Sequence, residues 1–346
     1  KDRNIWKCTG KVHRTCFNKL FIMQKIAILA GGDSGEYEVS LASAGVVKKY
    51  LDPSLFEPYI IMIRGGEWYN QSGEGKKSPV DRNDFSITIN NQKIRFDCVF
   101  NAIHGTPGED GKIQGYLELL DIPHTSCNLA TSSLTFDKYF CNGFVNKLGV
   151  ITTPSVLLRA GEEKPLEEIV EQVGIPCFVK PNAGGSSVGI TKVMKEEQLG
   201  EAIKLAFKED TQVLVEKFIE GTEITCGVIR HKGEILALPI TEIVSKTDFF
   251  DYDAKYKGMA DEITPARISE ETARQCQDLS KMLYRELNCK GLLRFDFIFN
   301  EKGMYFLEAN TVPGLSEASI VPQQAEVAGI SLTRLFTMMI EAATEK

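Results

Sequence analysis

Apolar and polar residues follow two different periods along the first third of the chain. Short apolar runs bounded by glycine or polar residues predict buried strands at 25–31, 58–63 and 97–103. Segments with apolar positions three or four residues apart predict helices near 39–51 and 111–120. Because strands that alternate with helices are typical of a parallel sheet, we expect a small parallel α/β domain that ends near residue 126.

The remainder of the chain mixes the same two periods and predicts an α/β (α+β) fold overall. We predict strands at 154–158, 175–180, 188–193, 212–218, 223–230 and 233–240, and helices at 132–148, 165–173, 195–208, 269–287 and 331–343. These elements predict three domains, over 23–126, 127–215 and 216–346. A glycine-rich loop at 181–187 and a polar loop at 245–265 connect strands within the second and third.

Residues 294–314 predict a hairpin, because two alternating runs flank a short polar turn. In the first strand the phenylalanines share one face, and the opposite face carries Arg294, Asp296 and Ile298. In the second strand, one face is predicted to carry Phe306, Glu308 and Asn310.

The turn of this hairpin sets its register. A three-residue loop at 301–303, with Gly303 in the left-handed conformation, pairs Asn300 with Met304. The same register gives two further pairs: Asp296 with Glu308, and Arg294 with Asn310.

The pairs Asp296–Glu308 and Arg294–Asn310 place charged and polar side chains opposite each other. Carboxylates directly opposed at Cβ separations of about 5 Å repel each other, and a divalent cation between them turns the repulsion into binding. Acidic oxygens and an amide carbonyl are ligands that suit Mg²⁺, so we expect a metal site at Asp296, Glu308 and Asn310. The alternative is an exposed hairpin with scattered acids.

Composition narrows the class of protein. A length of 346 residues predicts two or three domains, and the net charge of −7 argues against binding to nucleic acid or to an anionic membrane. No apolar run approaches transmembrane length. The nine cysteines have no framework spacing, and most lie in apolar runs, as Cys98 and Cys177 do; this predicts reduced core residues of a cytoplasmic protein.

Residues 1–22 differ from the rest of the chain. The segment is basic and irregular, and it ends just before Met23, where a clear strand pattern begins. We interpret it as an artificial leader or an upstream extension, with the natural start at Met23. A targeting arm is the alternative, although the segment lacks the apolar core of a signal peptide.

The stretch PNAGGSSVG at 181–189 lies between two predicted strands, so it is not a Walker A loop, which must enter a helix. Such a loop offers backbone N–H groups and hydroxyls to phosphate oxygens, from Gly184, Gly185, Ser186 and Ser187. Lys180 ends the preceding strand and adds a cation. We expect a lid that binds a triphosphate, and an ordinary turn is the alternative.

The stretch VLVEKFIEGTE at 213–223 places charged residues within an apolar run. Burying such charges is unfavourable unless they are used or exposed. We interpret Glu216 and the neighbouring backbone as an adenine site and Glu223 as a ribose ligand. An edge strand with solvated charges is the alternative.

Three further segments carry weaker signals. Glu38 follows the first predicted strand, where open α/β sheets bind ligands, but it also suits a helix N-terminus. The lone His104 of HGTPGEDG is interpreted as structural. The polar segment 252–262 is long enough for a closing loop in which Lys255 and Tyr256 reach a site; a disordered excursion is the alternative.

Taken in order from about Lys25 to the C-terminus, these segments resemble the D-alanine–D-alanine ligase family of the ATP-grasp superfamily. Eight stretches carry the resemblance: GGDSGEYEVSL, HGTPGEDG, TFDKYF, VKPNAGGSSVGI, EKFIEGTEITC, YDAKY, RFDFIF and EANTVPGLSEASIVP. The family implies a three-domain ATP-grasp architecture with an N-terminal Rossmann-like parallel α/β domain. It also implies ATP-dependent ligation of two D-alanines through an acyl phosphate, for peptidoglycan synthesis.

The resemblance also implies roles for individual residues. ATP would contact Lys138, Lys180, Ser187, Glu216, Lys217, Ile219 and Glu223. Two Mg²⁺ ions, for which Mn²⁺ can substitute, would bind Asp296, Glu308 and Asn310. The first D-alanine would meet Glu38, which is tied to Ser186 and Tyr256. The second would meet Lys255, Ser319 and the N–H of Ile320. Arg294 and the N–H of Gly314 would stabilise the oxyanion.

Alternatives to this activity stay open. A D-alanine–D-lactate ligase is the nearest, and Tyr256 favours the dipeptide enzyme. Another ATP-grasp carboxylate–amine ligase and a catalytically silent ATP-binding protein are further alternatives. The family implies a homodimer through the first domain. Two features depart from the family: the segment 256–265 is shorter than in many members, and residues 1–22 have no counterpart.

Overall fold

The computed structural model describes residues 23–71, 75–185, 188–245 and 260–345. The described strands form three sheets, with helices packed against each of them. This mixed architecture confirms the predicted α/β fold. No helix of the described residues is both long and apolar enough to cross a bilayer. The limits of the three predicted domains stay a prediction.

The first sheet is parallel at its core. Its first strand, β1, pairs in parallel with β2 on one side and with the edge strand β7 on the other: Gln24–Gly31, Phe56–Arg64 and Cys98–Asn101. Two helices flank the sheet, α1 at Tyr37–Tyr50 and α2 at Lys112–Leu119. Ile26 and Ile28 pack with α1, whereas Ala27 and Leu29 pack with α2. Because both faces are buried, β1 is apolar throughout rather than alternating.

The sheet is mixed rather than wholly parallel. Four further strands, β3 to β6, extend it beyond β2 in antiparallel order: Glu67–Gln71, Lys77–Asp81, Ser86–Ile89 and Gln92–Ile94. The expectation of a purely parallel sheet therefore holds only for the strands near the crevice. These short strands escaped prediction because polar residues and tight turns interrupt their alternation.

The second sheet is antiparallel, in the order β11-β10-β12-β9. Its strands are β9 at Ser155–Arg159, β10 at Cys177–Pro181, β11 at Thr191–Val193 and β12 at Gln212–Lys217. Helices α5, Leu166–Val173, and α6, Leu199–Ala206, cover one face through the core residues Cys177, Val179, Val213 and Val215. Alternation places Lys180 and Glu216 on the other face.

The third sheet carries the predicted hairpin. In sheet order its strands are β16, β15, β13, β17, β18 and β8, with β14 beside β13. Their bounds are Ala260–Ile263, Thr241–Ser245, Thr222–His231, Leu292–Asn300, Gly303–Asn310, Ile151–Thr152 and Glu234–Ala237. Helix α7, Glu270–Glu286, covers one face through Cys276, Leu283 and Tyr284.

Further helices precede the second sheet in the sequence and follow the third. The single helix predicted at 132–148 is two helices, α3 at Leu129–Phe136 and α4 at Lys138–Lys147. The chain turns between them because the Asp137 carboxylate caps α4, accepting a hydrogen bond from Phe140 N at 2.9 Å. Helix α8, Ile320–Val327, was not predicted, and α9, Leu332–Thr344, matches the predicted C-terminal helix.

Candidate active site

The hairpin of β17 and β18 places Asp296 directly opposite Glu308 and Arg294 opposite Asn310, as predicted. The turn itself differs from the prediction, because Asn300 pairs with Gly303 rather than with Met304. A β-bulge at Leu307 inserts one unpaired residue and restores the register at Glu308. Two deviations of one residue therefore cancel.

The bulge also corrects the predicted face of Phe306. This residue pairs with Phe297 and is fully buried in the core beneath the sheet, so it does not share a face with Glu308. The side-chain period of a strand is two, and one inserted residue reverses every face beyond it. Glu308 and Asn310, C-terminal to Leu307, line the cleft.

Asp296 is the centre of a dense polar network. Arg294 donates two hydrogen bonds to its carboxylate, from Nε to Oδ1 at 2.8 Å and from Nη2 to Oδ2 at 2.7 Å. The Thr225 hydroxyl donates to Oδ1 at 2.6 Å, and Asn310 Nδ2 donates to Oδ2 at 3.0 Å. A carboxylate has about four lone-pair sites, so these four bonds occupy Asp296, and a cation would take the position that Asn310 Nδ2 fills. Thr225 has no special sequence signal; its position on β13 opposite Asp296 brings it here.

The guanidinium of Arg294 stays charged in this largely buried position. Burial lowers its pKa, but the Asp296 carboxylate and Glu308 outweigh that effect and raise the pKa above its ordinary value. A fixed positive charge with remaining N–H donors is suited to stabilising an anion in a water-poor site.

Two lysines approach the same region from the second sheet and α4. Lys138 Nζ donates to the carbonyl oxygen of Gly184 at 2.6 Å and lies 3.8 Å from Glu308 Oε2. Lys180 Nζ lies 2.5 Å from Glu216 Oε2, in a pair that is almost fully buried. Burial lowers the pKa of Lys138, and Glu308 partly opposes that effect.

A cavity of about 490 Å³ lies between the second and third sheets. Most of the residues predicted to meet a nucleotide line it together with the hairpin: Lys180, Glu216, Lys217, Ile219, Glu223, Asp296 and Glu308. Lys138 lines a second cavity instead. Glu216 is further held by Asn142, whose Nδ2 donates to Oε1 at 3.3 Å. Apolar lining comes from residues such as Phe178 and Ile298. An apolar slot with a few fixed polar groups is typical of a small-molecule site.

A second cavity of about 550 Å³ lies on the first-domain side of the hairpin. Its lining includes the predicted substrate residues Glu38, Arg294, Gly314 and Ser319, together with Lys138. Arg294, Glu308 and Ile320 line both cavities, so the cavities adjoin at the open end of the hairpin, away from its turn. A group bound in one cavity can therefore react with a group bound in the other.

The loop 311–319 forms one wall of this second cavity. Ser319 lies at the N-terminus of α8, and its hydroxyl is 2.7 Å from that of Ser316. A Cβ at Gly314 would lie 2.8 Å from Ser319 Oγ, so the backbone must approach this hydroxyl closely. Helix N-termini present unpaired N–H groups, which favour an anion such as a carboxylate.

Glu36 also lines the second cavity and is not singled out by the sequence pattern. A Cβ built at Gly185 would lie 2.6 Å from Glu36 Oε2, so this carboxylate lies against the glycine-rich loop. Glu38 is exposed in the first turn of α1. Its predicted role is untested, and Glu36 is the more enclosed of the two acids. The sequence feature that could have indicated Glu36 is its position, two residues before Glu38 in the same turn.

Four predicted residues lie outside the described residues: Ser186, Ser187, Lys255 and Tyr256. Their roles stay predictions. The predicted closing loop also falls mostly outside the described range, and its final residues form β16, which pairs with β15. His104, interpreted as structural, is buried and bonded on both ring nitrogens.

The donor set at the hairpin suits a hard divalent cation. Asp296 and Glu308 offer carboxylate oxygens, and Asn310 offers an amide oxygen if its side chain presents Oδ1 in place of the Nδ2 that faces Asp296. No group of three or more His, Cys, Asp or Glu side chains suitable for a metal occurs within the described ranges. Two acids and one amide leave positions for phosphate or water oxygens, which Mg²⁺ retains in nucleotide sites.

Comparison with known proteins adds a family. A family model described as D-ala D-ala ligase N-terminus matches residues 25–127, and one described as D-ala D-ala ligase C-terminus matches residues 144–341. D-alanine–D-alanine ligases of Christiangramia forsetii and Flavobacterium johnsoniae are each 50% identical to this chain; they cover 92% of it, and the matches span 98% and 99% of their own lengths.

Solved structures agree with this assignment. A D-Ala:D-Ser ligase from Enterococcus faecalis has a TM-score of 0.83 at 34% identity, over 93% of this chain and 100% of its own. A D-alanine–D-alanine ligase from Bacillus anthracis complexed with ATP has a TM-score of 0.74 at 27% identity, over 92% of this chain and 97% of its own. The ordered motifs, the two adjoining cavities and these matches together identify the chain as a member of the D-alanine–D-alanine ligase family.

Proposed function

We propose that this chain joins two D-alanines into D-alanyl-D-alanine, with conversion of ATP to ADP and phosphate, for peptidoglycan synthesis. The observation that carries the proposal is the meeting of two cavities at Arg294 and Glu308. One cavity has the lining expected of a nucleotide site, and the other is bordered by the N-terminus of α8, which suits a carboxylate. This arrangement suits transfer of a phosphoryl group to a carboxylate that is then attacked by an amine.

In this proposal ATP occupies the cavity between the second and third sheets. Glu216 and the backbone of Lys217 and Ile219 meet the adenine, and Glu223 meets the ribose. Lys138 and Lys180 neutralise phosphate charge. Their positions support this role, because both ammonium groups are buried near the hairpin and paired with carboxylates. Ser187 would add a hydroxyl from the lid.

Asp296, Glu308 and Asn310 would hold Mg²⁺, in two sites that Mn²⁺ can also fill. The bound ions would neutralise negative charge on the transferred phosphoryl group. The carboxylates themselves keep this end of the hairpin negative. Asp296 is held rigidly by Thr225 and Arg294, so it is preorganised to bind a cation in one place.

The substrate residues divide between the two amino acids. An acid in the first strand–helix turn, Glu38 as predicted or the more enclosed Glu36, would hold the ammonium of the first D-alanine. Ser319 and the N–H of Ile320 would hold the carboxylate of the second, with Lys255. A carboxylate is a poor acyl donor, so phosphorylation of the first D-alanine supplies a leaving group.

Attack by the second amine gives a tetrahedral oxyanion. Arg294 and the N–H of Gly314 would stabilise it, and each such donor contributes about 3 kcal/mol in enclosed sites. Both line the same cavity, which supports their joint role. Water has to be excluded from the acyl phosphate, so the lid with Ser186 and the loop with Tyr256 would close together.

The experiment that tests the activity is a coupled assay of ADP release with product analysis. We expect ADP and D-alanyl-D-alanine in equal amounts with D-alanine, and no comparable turnover with L-alanine. ADP release that does not depend on D-alanine, or that is equally fast with other amino acids, would contradict the proposal.

A second candidate is a D-alanine–D-serine ligase, which the structural match to a D-Ala:D-Ser ligase favours. D-lactate is the further alternative for the second position. Competition among D-alanine, D-serine and D-lactate from pH 6 to 8 separates the three. We expect the dipeptide of two D-alanines to dominate across this range. Predominant incorporation of D-lactate near neutral pH, or of D-serine, would contradict the proposal and assign the chain to that ligase activity instead.

We further propose that the chain acts as a cytoplasmic homodimer with no nucleic-acid or membrane partner. The net charge of −7 and the free, buried cysteines of the described residues support a reduced compartment and weak attraction to polyanions. Sedimentation velocity at micromolar concentration tests the dimer; a single monomeric species would contradict it.

A further inference from the structure

The loop 104–111 contacts the loop 311–319 across the boundary between the first and third sheets. Val312 N donates to Glu109 Oε1 at 3.1 Å, and His104 Nδ1 lies 2.8 Å from the Val312 carbonyl oxygen. Val312 is 5% exposed, so its two backbone polar groups depend on these side chains. A buried backbone group that loses its hydrogen-bond partner costs about 1–3 kcal/mol, so both bonds stabilise the contact between the two loops.

Glu109 is itself fixed at its other oxygen. Gly105 N donates to Glu109 Oε2 at 2.8 Å. Gly105 has a φ of +69°, and a Cβ there would lie 2.6 Å from Ser34 Oγ, so this backbone position is set by close packing. The carboxylate therefore joins two main-chain amides, one from each loop, and acts as a rigid bridge.

We propose that Glu109 is a positioning residue, which holds Val312 so that the Gly314 N–H points at the reacting carbonyl. This inference rests on the proposed function, in which the Gly314 amide stabilises the oxyanion. Only Pro313 separates Val312 from Gly314, and its ring fixes φ near −65°. Displacement of Val312 is therefore passed to the Gly314 amide, and an error of about 1 Å in such a group can cost roughly 100-fold in rate.

A second hydrogen bond from the first domain also holds the loop 311–319. Ser43 Oγ accepts a hydrogen bond from Leu315 N at 3.3 Å and lies 2.9 Å from His104 Nε2. The loop is therefore held on both sides of Gly314, before it by Glu109 and after it by Ser43. Loss of Glu109 alone should shift the amide without releasing the whole loop, so the protein should stay folded.

The surroundings make a carboxylate at this position unfavourable in electrostatic terms. Burial raises the pKa of Glu109 to about 8, and the neighbouring carboxylates of Glu36 and Glu308 contribute to that rise. The hydrogen bonds from Gly105 and Val312 oppose it. The two amide N–H groups therefore favour the charged carboxylate, which the cleft otherwise disfavours.

The test compares Glu109→Gln with the wild-type chain. Glutamine has nearly the same shape, but only one of its two terminal atoms accepts a hydrogen bond, so one amide loses its partner. We expect kcat for D-alanine to fall about 10- to 100-fold, with the KM for ATP unchanged within about twofold. The affinity for a phosphinate mimic of the tetrahedral intermediate should fall by the same factor as kcat, whereas a general loss of structure would weaken ATP binding as well.

Glu317→Gln is the matched control. Glu317 lies on the same loop and also contacts the first domain, through Lys49 at 2.7 Å and Tyr50 at 2.9 Å, but the side chains of Lys49 and Glu317 are exposed. We expect its kcat to stay within about twofold of wild type, because exposed pairs contribute little. If Glu109→Gln unfolds, Glu109→Asp, which keeps the charge but shortens its reach, should show an intermediate loss.

Hydrogen exchange of residues 311–319 in the ligand-free protein gives a readout that is independent of activity. We expect faster exchange in Glu109→Gln than in wild type, and unchanged exchange in Glu317→Gln. If the wild type does not ligate D-alanine, the proposed function fails while this measurement still tests the bridge. Unchanged exchange, or unchanged kcat and phosphinate affinity in Glu109→Gln, would overturn the inference.

Discussion

Asp296 and Glu308 lie directly opposite each other on β17 and β18, at the point where the bulge at Leu307 interrupts the hairpin. Their environments differ. Asp296 is buried and fully hydrogen-bonded, whereas Glu308 is partly exposed to both cavities and lies 3.8 Å from Lys138. One acid is fixed in the sheet, and the other faces the cavities that we assign to the substrates.

Glu308→Gln should abolish turnover without unfolding the protein. The substitution preserves shape and removes a charge that would bind the metal, so we expect kcat to fall by at least about 100-fold. Because the side chain is partly exposed, the melting temperature should change by only a few degrees. Coupled ADP release and calorimetry measure the two effects. Glu301→Gln, an exposed acid in the turn of the same hairpin, is the control, and retained activity in Glu308→Gln would count against the metal site.

Lys180→Met should destabilise the protein even in the absence of nucleotide. Lys180 and Glu216 form a buried pair, and removal of one partner leaves an uncompensated charge, which costs about 3–5 kcal/mol. The double variant with Glu216→Gln should recover part of this loss. Urea unfolding of the two single variants and the double variant measures the coupling. Additive effects would mean that the pair contributes nothing to stability and serves nucleotide binding alone.

His104 should make stability depend on pH. Burial lowers its pKa, with a further contribution from Arg294, while Glu36 and the Val312 carbonyl oppose the shift. The unfolded imidazole therefore binds a proton near pH 6.5, where the folded one does not. Stability is then fully present above about pH 6.5 and falls as the pH drops below it, by at most about 1.4 kcal/mol per unit.

The measurement is urea unfolding of wild type and His104→Gln between pH 5 and 8. Glutamine can donate to the Val312 carbonyl but does not titrate, so its curve should be flatter below pH 6.5. The pKa of His124 is also lowered by burial, but this residue is present in both proteins and cancels in the difference. Parallel curves would show that His104 does not account for the acid sensitivity.

The thiols of the folded chain should resist modification. All seven cysteines of the described residues are free and buried, and burial raises the pKa of several, including Cys98 and Cys141. A thiol reagent added without denaturant should react rapidly with none of them. The remaining two, Cys8 and Cys16, lie outside the described residues, so a variant that lacks residues 1–22 is the informative protein. Rapid reaction of that variant would contradict the expected burial.

Local pattern was enough to predict the faces of the strands near the hairpin. Alternation placed Arg294 and Asp296 on one face, because successive side chains of a strand point to opposite sides whatever the rest of the fold does. Apolar runs likewise predicted β1 and its buried neighbours. Pattern did not predict the bulge at Leu307, because an unpaired residue depends on how the partner strand is held rather than on its own neighbours.

The sequence by itself determined the order of the elements, the family and most of the residues that line the two cavities. Only the tertiary structure brought Glu36 rather than Glu38 against the glycine-rich loop, added Thr225 to Asp296, and joined Glu109 and His104 to Val312. The physical reason is separation along the chain: His104 and Val312 are 208 positions apart. No period in a sequence reports which distant backbone groups will meet, because that depends on how whole sheets pack.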